Sequence, residues 1–162
     1  MTMTPVRYWE DVEIGDSYTT PARTITETDV VMFAGLTGDY MPFHVDEVTA
    51  SRTIYGGRIA HGLLGLAYMQ GMKTWVHTGI ASMGSLGWTV DFRAPIRSGD
   101  TLTATFTVAS KRETSKPDRG ILFVACELRN QDGVLVQEAE HRRMVRRRPA
   151  DGEPGAPEGG RG

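Results

Sequence analysis

The stretch from Ile59 to Val76, IAHGLLGLAYMQGMKTWV, is apolar on nearly every helical face and contains no acid. Leu63, Leu64, Leu66, Met69 and Met72 are spread around the helix rather than along one stripe, and a helix of that kind is buried on all sides. Gly62, Gly65, Ala67 and Gly71 let other backbones approach closely, which offsets the poor helix propensity of glycine. A membrane is not the expected cover. The weakly polar run ends at Met72, contains His61 and Gln70, and falls short of the ~20 residues that a spanning helix needs. The rest of the chain must therefore wrap this segment.

The second half has the pattern to do so. In TLTATFTVAS, residues Leu102, Ala104, Phe106 and Val108 alternate with polar neighbours, as in a half-buried strand. SMGSLGWTVDF before it, and ILFVACELRN and VLVQEAEHRRMV after it, read as further strands separated by the turn signals RSGD, SKPDRG and NQDG. DSYTTPARTI near the start supplies one more. The expected architecture is α+β, with an antiparallel meander wrapped around one buried helix. ITETDVVMFAGLTG reads as a short helix with a capping box at Thr26 and Asp29, an apolar face of Val30, Phe33 and Ala34, and a stop at Gly38. DEVTASRTIY reads as another, stopped by Gly56 and Gly57.

The 162 residues suit a single domain, expected over 1–148. Residues 149–162 hold three prolines, five glycines and no side chain for a core, so a disordered tail is expected there. The net charge of -2 gives no basic excess for nucleic acid and no acidic excess for disorder. The opening residues lack a basic segment followed by an apolar one, so no secretory signal is expected. Cys126 is the one cysteine, which excludes an internal disulfide and a multi-cysteine metal site. In its apolar setting it reads as a buried hydrophobe. Both features favour the cytoplasm.

The loop GDYMPFHVD, residues 38–46, is the candidate site. Asp39 and His44 would lie about 140° apart on a helix and roughly 16 Å apart in an extended chain, so only a bent loop can join them. Gly38 and Pro42 supply the bend. A carboxylate and an imidazole sharing a water can perform acid–base chemistry near neutral pH. The IAHG helix start adds first-turn amides without intrahelical partners. At Gly62 no side chain shields the N–H from a carbonyl oxygen.

The segments FAGLTGDYMPFHVDEVTASRTIYGGRIAHGLL and VDFRAPIRSGDTL resemble the MaoC-like, hydratase-2 branch of the hotdog-fold family, over about Glu10 to Val145. The resemblance implies a single hotdog domain, a curved antiparallel sheet around a central helix, and a homodimer or larger assembly. It also implies (R)-specific hydration of trans-2-enoyl thioesters, or the reverse dehydration, with no metal or redox cofactor. Asp39 and His44 match the family's catalytic pair, and Gly62 its oxyanion donor. Met41 occupies the position of an asparagine that contributes a polar group beside that pair, which puts the pocket's shape or its activity in question. His61 is placed at the site as an anchor of the helix start.

Three other readings stay open: a hotdog thioesterase, a dehydratase acting on a carrier-protein-bound intermediate, and a non-enzymatic subunit that retains the fold. The acid-free run from Ile59 to Val76 counts against the thioesterase, because many in that branch place a carboxylate on or near the central helix. His44 and Asp46, with His141, would imitate an iron-binding facial triad, but Asp46 is expected to open a helix instead. The five arginines from Arg142 to Arg148 read as a solvated strand end or a grip on coenzyme A phosphates, and a part for Arg93 and Arg97 in phosphate binding is equally open. His77 reads as a favourable charge near a helix C-terminus.

Overall fold

The computed structural model describes residues 5–149, so all of the expected tail except Pro149 lies outside the described residues. Short strands β1 (Ser17–Thr19) and β2 (Arg23–Thr24) are followed by helices α1 (Glu27–Thr37), α2 (Pro42–Val45), α3 (Glu47–Ala50) and α4 (Gly62–Met72). Four long strands complete the chain: β3 (Ser82–Phe92), β4 (Thr101–Glu113), β5 (Arg119–Arg129) and β6 (Leu135–Arg146). They form one curved antiparallel sheet in the order β1-β4-β5-β6-β3, with β2 also on β4.

That order corrects the meander. β4, β5 and β6 follow one another, but β3 crosses to the far edge and pairs with β6 rather than with its successor β4. The curved sheet packs its inner face on α4.

The alternation in β4 works as read. Leu102, Ala104, Phe106 and Val108 all turn inward and are buried. With Leu122, Val124, Cys126 and Leu128 of β5 they form the floor on which Leu64, Met69 and Met72 of α4 lie. Each such fully buried side chain contributes roughly 1.5–3 kcal/mol. Cys126 is one of these packed hydrophobes, and burial pushes its thiol up to about 12.

The helix itself is not covered on all sides. Leu63 is 57% exposed, and Ala67 and Gly71 extend the same open stripe at four-residue spacing. One sheet covers one face of a helix, and among the described residues this stripe on the other face stays exposed.

α1 matches its sequence signals. Thr26 accepts from the Asp29 N–H, Asp29 returns a bond to the Thr26 N–H, and Gly38 ends the helix in the left-handed region at φ 76°. The second expected helix is shorter. Asp46 caps α3 through the N–H groups of Val48 and Thr49, but the chain leaves the helix after Ala50, well before Gly56.

Candidate functional site

The loop between α1 and α3 folds back on itself in three moves. Gly38 takes the positive φ that turns the chain out of α1. Pro42 sits at the first position of α2, where its missing N–H costs nothing, and the single turn it starts carries His44. The Asp39 carboxylate accepts from the Met41 N–H at 3.3 Å, which tightens the bend.

Two hydrogen bonds then tie this loop to the segment leading into α4. His44 Nδ1–H donates to the Ile59 carbonyl at 2.7 Å, and the Ile59 N–H donates to the Phe43 carbonyl. A carbonyl can only accept, so His44 carries its proton on Nδ1 and presents a lone pair at Nε2. His61 Nε2–H donates to the Asp39 carbonyl at 2.9 Å by the same logic. The two imidazoles stack at 3.8 Å between ring centres, with 24° between their planes.

The outcome is a compact group: a carboxylate oxygen of Asp39 and one ring nitrogen each of His44 and His61 lie within 4.8 Å of one another. His44 and His61 are buried, while Asp39 faces solvent. Burial lowers the His44 pKa below its usual 6.5. The hydrogen bond to Ile59 opposes this, the nearby His61 reinforces it, and the Asp39 charge partly offsets it. The imidazole is therefore held neutral and basic at neutral pH.

Two histidines and a carboxylate are also a metal-ligand set, but the stacking is wrong for one. A metal must lie in the plane of each ligating imidazole. Rings stacked nearly face to face, 3.8 Å apart, point their lone pairs past any common ion. The other imagined triad is not assembled, because the Asp46 carboxylate is spent on the α3 cap and His141 donates or accepts at Ser85 Oγ on the opposite sheet edge.

A cavity of about 330 Å³ opens beside His44, with Gly62, Phe92, Ile96 and Gln137 among its lining residues. Gly62 is the first residue of α4, so its N–H has no acceptor within the helix and sits at the positive end of the dipole. The Phe92 ring lies against its Cα: an added Cβ would come within 2.7 Å of the ring. Gln137 Nε2 donates to the Gly62 carbonyl at 2.7 Å, fixing the first peptide of the helix. Gly65, one turn on, leaves the room that Ile96 and Gln137 fill, since a Cβ there would meet Ile96 Cδ1 at 2.6 Å.

Of the residues expected at the site, Asp39, His44 and His61 come together, and His44 and Gly62 reach the cavity wall. His61 anchors the Asp39 loop rather than capping its own helix, where its side chain makes no cap bond. Met41 is 50% exposed, is absent from the cavity lining, and stands at the N-cap of α2 without a side-chain bond. Gln137 and Phe92 are the residues that sequence reasoning missed. A glutamine on the inward-facing period of β6 was the available signal for the first. Phe92, at the end of β3, offered none.

The arginine run is not a uniformly solvated strand end. Arg147 pairs with Glu10 and Arg148 with Asp11, while Arg143 is buried. Arg93 pairs with Glu138, and Arg97 donates to the Tyr55 carbonyl.

Comparison with known proteins places the chain in a family. The family described as MaoC like domain matches residues 11–122. The chain is 39% identical over 105 residues to the (R)-specific enoyl-CoA hydratase of Rhodospirillum rubrum, covering 64% of this chain and 70% of that protein. It is 34% identical over 149 residues to the 3-hydroxybutyryl-CoA dehydratase of Methylorubrum extorquens, covering 90% and 89%. Protein MaoC of Klebsiella aerogenes is 36% identical over 115 residues, 70% of this chain but a third (33%) of that protein's length. The crystal structure of the MaoC-like dehydratase from Rhodospirillum rubrum superposes with a TM-score of 0.81 at 28% identity, covering 89% of this chain and 99% of that one. With the matched region running through the loop, α4 and most of the sheet, the chain belongs to the MaoC-like domain family and has its hotdog fold.

Proposed function

We propose that the protein adds water to the double bond of a trans-2-enoyl thioester, giving the (R)-3-hydroxyacyl thioester, and catalyses the reverse dehydration. The carrying observation is that His44, with the Asp39 carboxylate close by, lines one cavity together with Gly62, whose N–H has no acceptor within α4. The names of two relatives, an (R)-specific enoyl-CoA hydratase and a 3-hydroxybutyryl-CoA dehydratase, point to the same chemistry.

In this reading the thioester carbonyl accepts a hydrogen bond from the Gly62 N–H. A water lies between the Asp39 carboxylate and His44 Nε2. As the water oxygen bonds to C3, its proton passes to Nε2 and the negative charge moves to the thioester oxygen, which Gly62 and the helix dipole stabilise. The His44 imidazolium then returns the proton to C2. Asp39 orients the water and stabilises the transient imidazolium. His61 is a positioning residue that holds the Asp39 backbone. The reaction needs no metal or redox cofactor, and coenzyme A or a carrier protein serves only to deliver the acyl group.

The subunit we infer to be half of a homodimer. β3 ends the sheet with its outer edge unpaired among the described residues, and the Leu63 stripe of α4 lies open on the helix beside it. Long unpaired edges and apolar stripes of this kind are what assembly covers.

Purified protein incubated with crotonyl and medium-chain enoyl-CoA should lose the conjugated enoyl absorbance without releasing thiol. Asp39→Asn and His44→Ala should each cut kcat/KM by about 10²–10⁴-fold. Met41→Asn, which supplies an N-cap side chain, should stabilise the fold by roughly 1 kcal/mol and leave turnover in place. Thiol release without hydration would make the protein a thioesterase. No turnover across a broad acyl panel, with Met41→Asn restoring it, would show a degenerate site.

The pH profile has a definite sign. His44 must be neutral to take the proton, and burial lowers its pKa, so the neutral form persists below the usual 6.5. Hydration kcat/KM should hold level as pH falls through 6.5 and decline only at more acidic values. An acid limb already present above that pH would contradict the assignment. Sedimentation equilibrium should give twice the mass of one chain, and a monomer throughout the accessible concentration range would rule out the dimer.

A further inference from the structure

A second cavity, of about 290 Å³, lies at the other end of α4, between β1, the segment after the helix and the inner face of the sheet. Val76, Ile80, Phe106, Val108, Leu122 and Val124 supply its hydrocarbon walls, while Arg7, Asp16, His77 and Thr78 put polar groups on the rest. Arg143 of β6 lines this apolar space. It is 7% exposed, and its Nε has no hydrogen-bond partner. The Tyr18 hydroxyl lines the same cavity and is also buried without a partner.

No acid answers this charge. Among the described residues, neither Arg143 nor Lys73 takes part in an ion pair. Asp16, the one carboxylate on the lining, is already held by Arg7 and by the Glu13 N–H. Lys73 bonds only to the neutral Gln70 side chain. Burial, and then the charge of Arg143, push the Lys73 ammonium down to about 8. Burial pushes the Tyr18 phenol up to about 12, so it remains a hydroxyl able to donate. A guanidinium removed from water without a counter-charge is costly, and truncating it or pairing it with an anion are the two remedies.

The wall chemistry selects the anion. A guanidinium fork fits a carboxylate or a phosphate equally well. A doubly charged phosphate would lose its hydration against hydrocarbon, whereas a carboxylate on an apolar body matches both parts of the cavity. We propose that this cavity binds a carboxylate carried on a small hydrocarbon body, with the carboxylate group between Arg143 and the Tyr18 hydroxyl. Lys73 follows Gly62 by eleven positions, about 16 Å along the helix. The carboxylate comes either from a free carboxylic acid or from the far end of a long acyl chain. The second source rests on the hydratase reading given above, and the first does not.

Calorimetric titration of the full chain with hexanoate, and with hexan-1-ol as the neutral counterpart, tests the site without any turnover. Hexanoate should bind saturably and at least about tenfold more tightly than the alcohol, the worth of one charge-assisted hydrogen bond. Arg143→Gln should remove that preference. Tyr18→Phe, which deletes one oxygen and leaves the packing, should weaken hexanoate severalfold with the fold intact. A parallel kinetic arm compares enoyl-CoA thioesters of equal length ending in a carboxylate or a methyl group. A lower KM for the carboxylate-ended thioester, lost in Arg143→Gln and competed by hexanoate, identifies the acyl chain as the source. Hexanoate binding that leaves thioester KM unchanged identifies a free acid. Hexanoate binding no tighter than the alcohol, or unaffected by both substitutions, overturns the proposal, and a failure of hydration alone overturns only the enzymatic reading.

Discussion

The hydrogen bond from His61 Nε2–H to the Asp39 carbonyl is the contact on which the arrangement of the site depends. It crosses from the segment before α4 to a loop 22 residues earlier and fixes that loop by its backbone, so that the carboxylate is engaged only by the long bond from the Met41 N–H. His44 is fixed in the same way from the opposite direction, through its Nδ1 and the Ile59 carbonyl. Each imidazole thus spends one nitrogen on a carbonyl, and the two rings stack on each other. This double tie sets the tautomer of His44 and leaves its Nε2 free. Gln137 performs a related service for Gly62, bonding its carbonyl and so holding the residue that opens α4. The groups assigned to the proposed reaction are each held through a backbone carbonyl, which suits the placement that acid–base catalysis requires.

Much of the fold could be read from local signals. The Thr26–Asp29 capping box and Gly38 located α1, because those residues act within one turn. The alternation in β4 located its inner face, because period two is a property of the strand alone. What lies in long-range pairing was not legible. Nothing in SMGSLGWTVDF says that it pairs with a strand some fifty residues later rather than with its neighbour. The covering of α4 was overestimated for a related reason: apolar residues all round a helix state a need for cover without saying that one chain provides it. Leu63 shows the shortfall.

The site was legible in part. Gly38 and Pro42 announced a bend, and Asp39 with His44 announced what the bend would join. The roles of His61 and Met41 needed coordinates. His61 turned out to brace the loop, and Met41 stands at a helix cap away from the cavity wall. The inner face of β6 was written in the sequence and overlooked. Gln137, His141 and Arg143 share one side of that strand, all three are buried, and each keeps a polar atom without a partner. Glu138, Glu140 and Arg142 on the other side drew attention to charge, while the polar residues among the core positions were the informative ones. Of the three, Gln137 lines the cavity beside His44 and Arg143 the cavity at the other end of α4.

In the proposed reaction Asp39 and His44, which lie on one loop, act on the substrate from one side, which makes the stereochemistry of addition the most direct measure of the account. Hydration of crotonyl-CoA run in heavy water, followed by NMR of the 3-hydroxybutyryl product, reports the face on which C2 receives its deuteron. A single proton carried by His44 from the water to C2 gives syn addition, with the C2 deuteron and the new hydroxyl on the same face. Anti addition would require a donor on the opposite face and would contradict the paired action of Asp39 and His44.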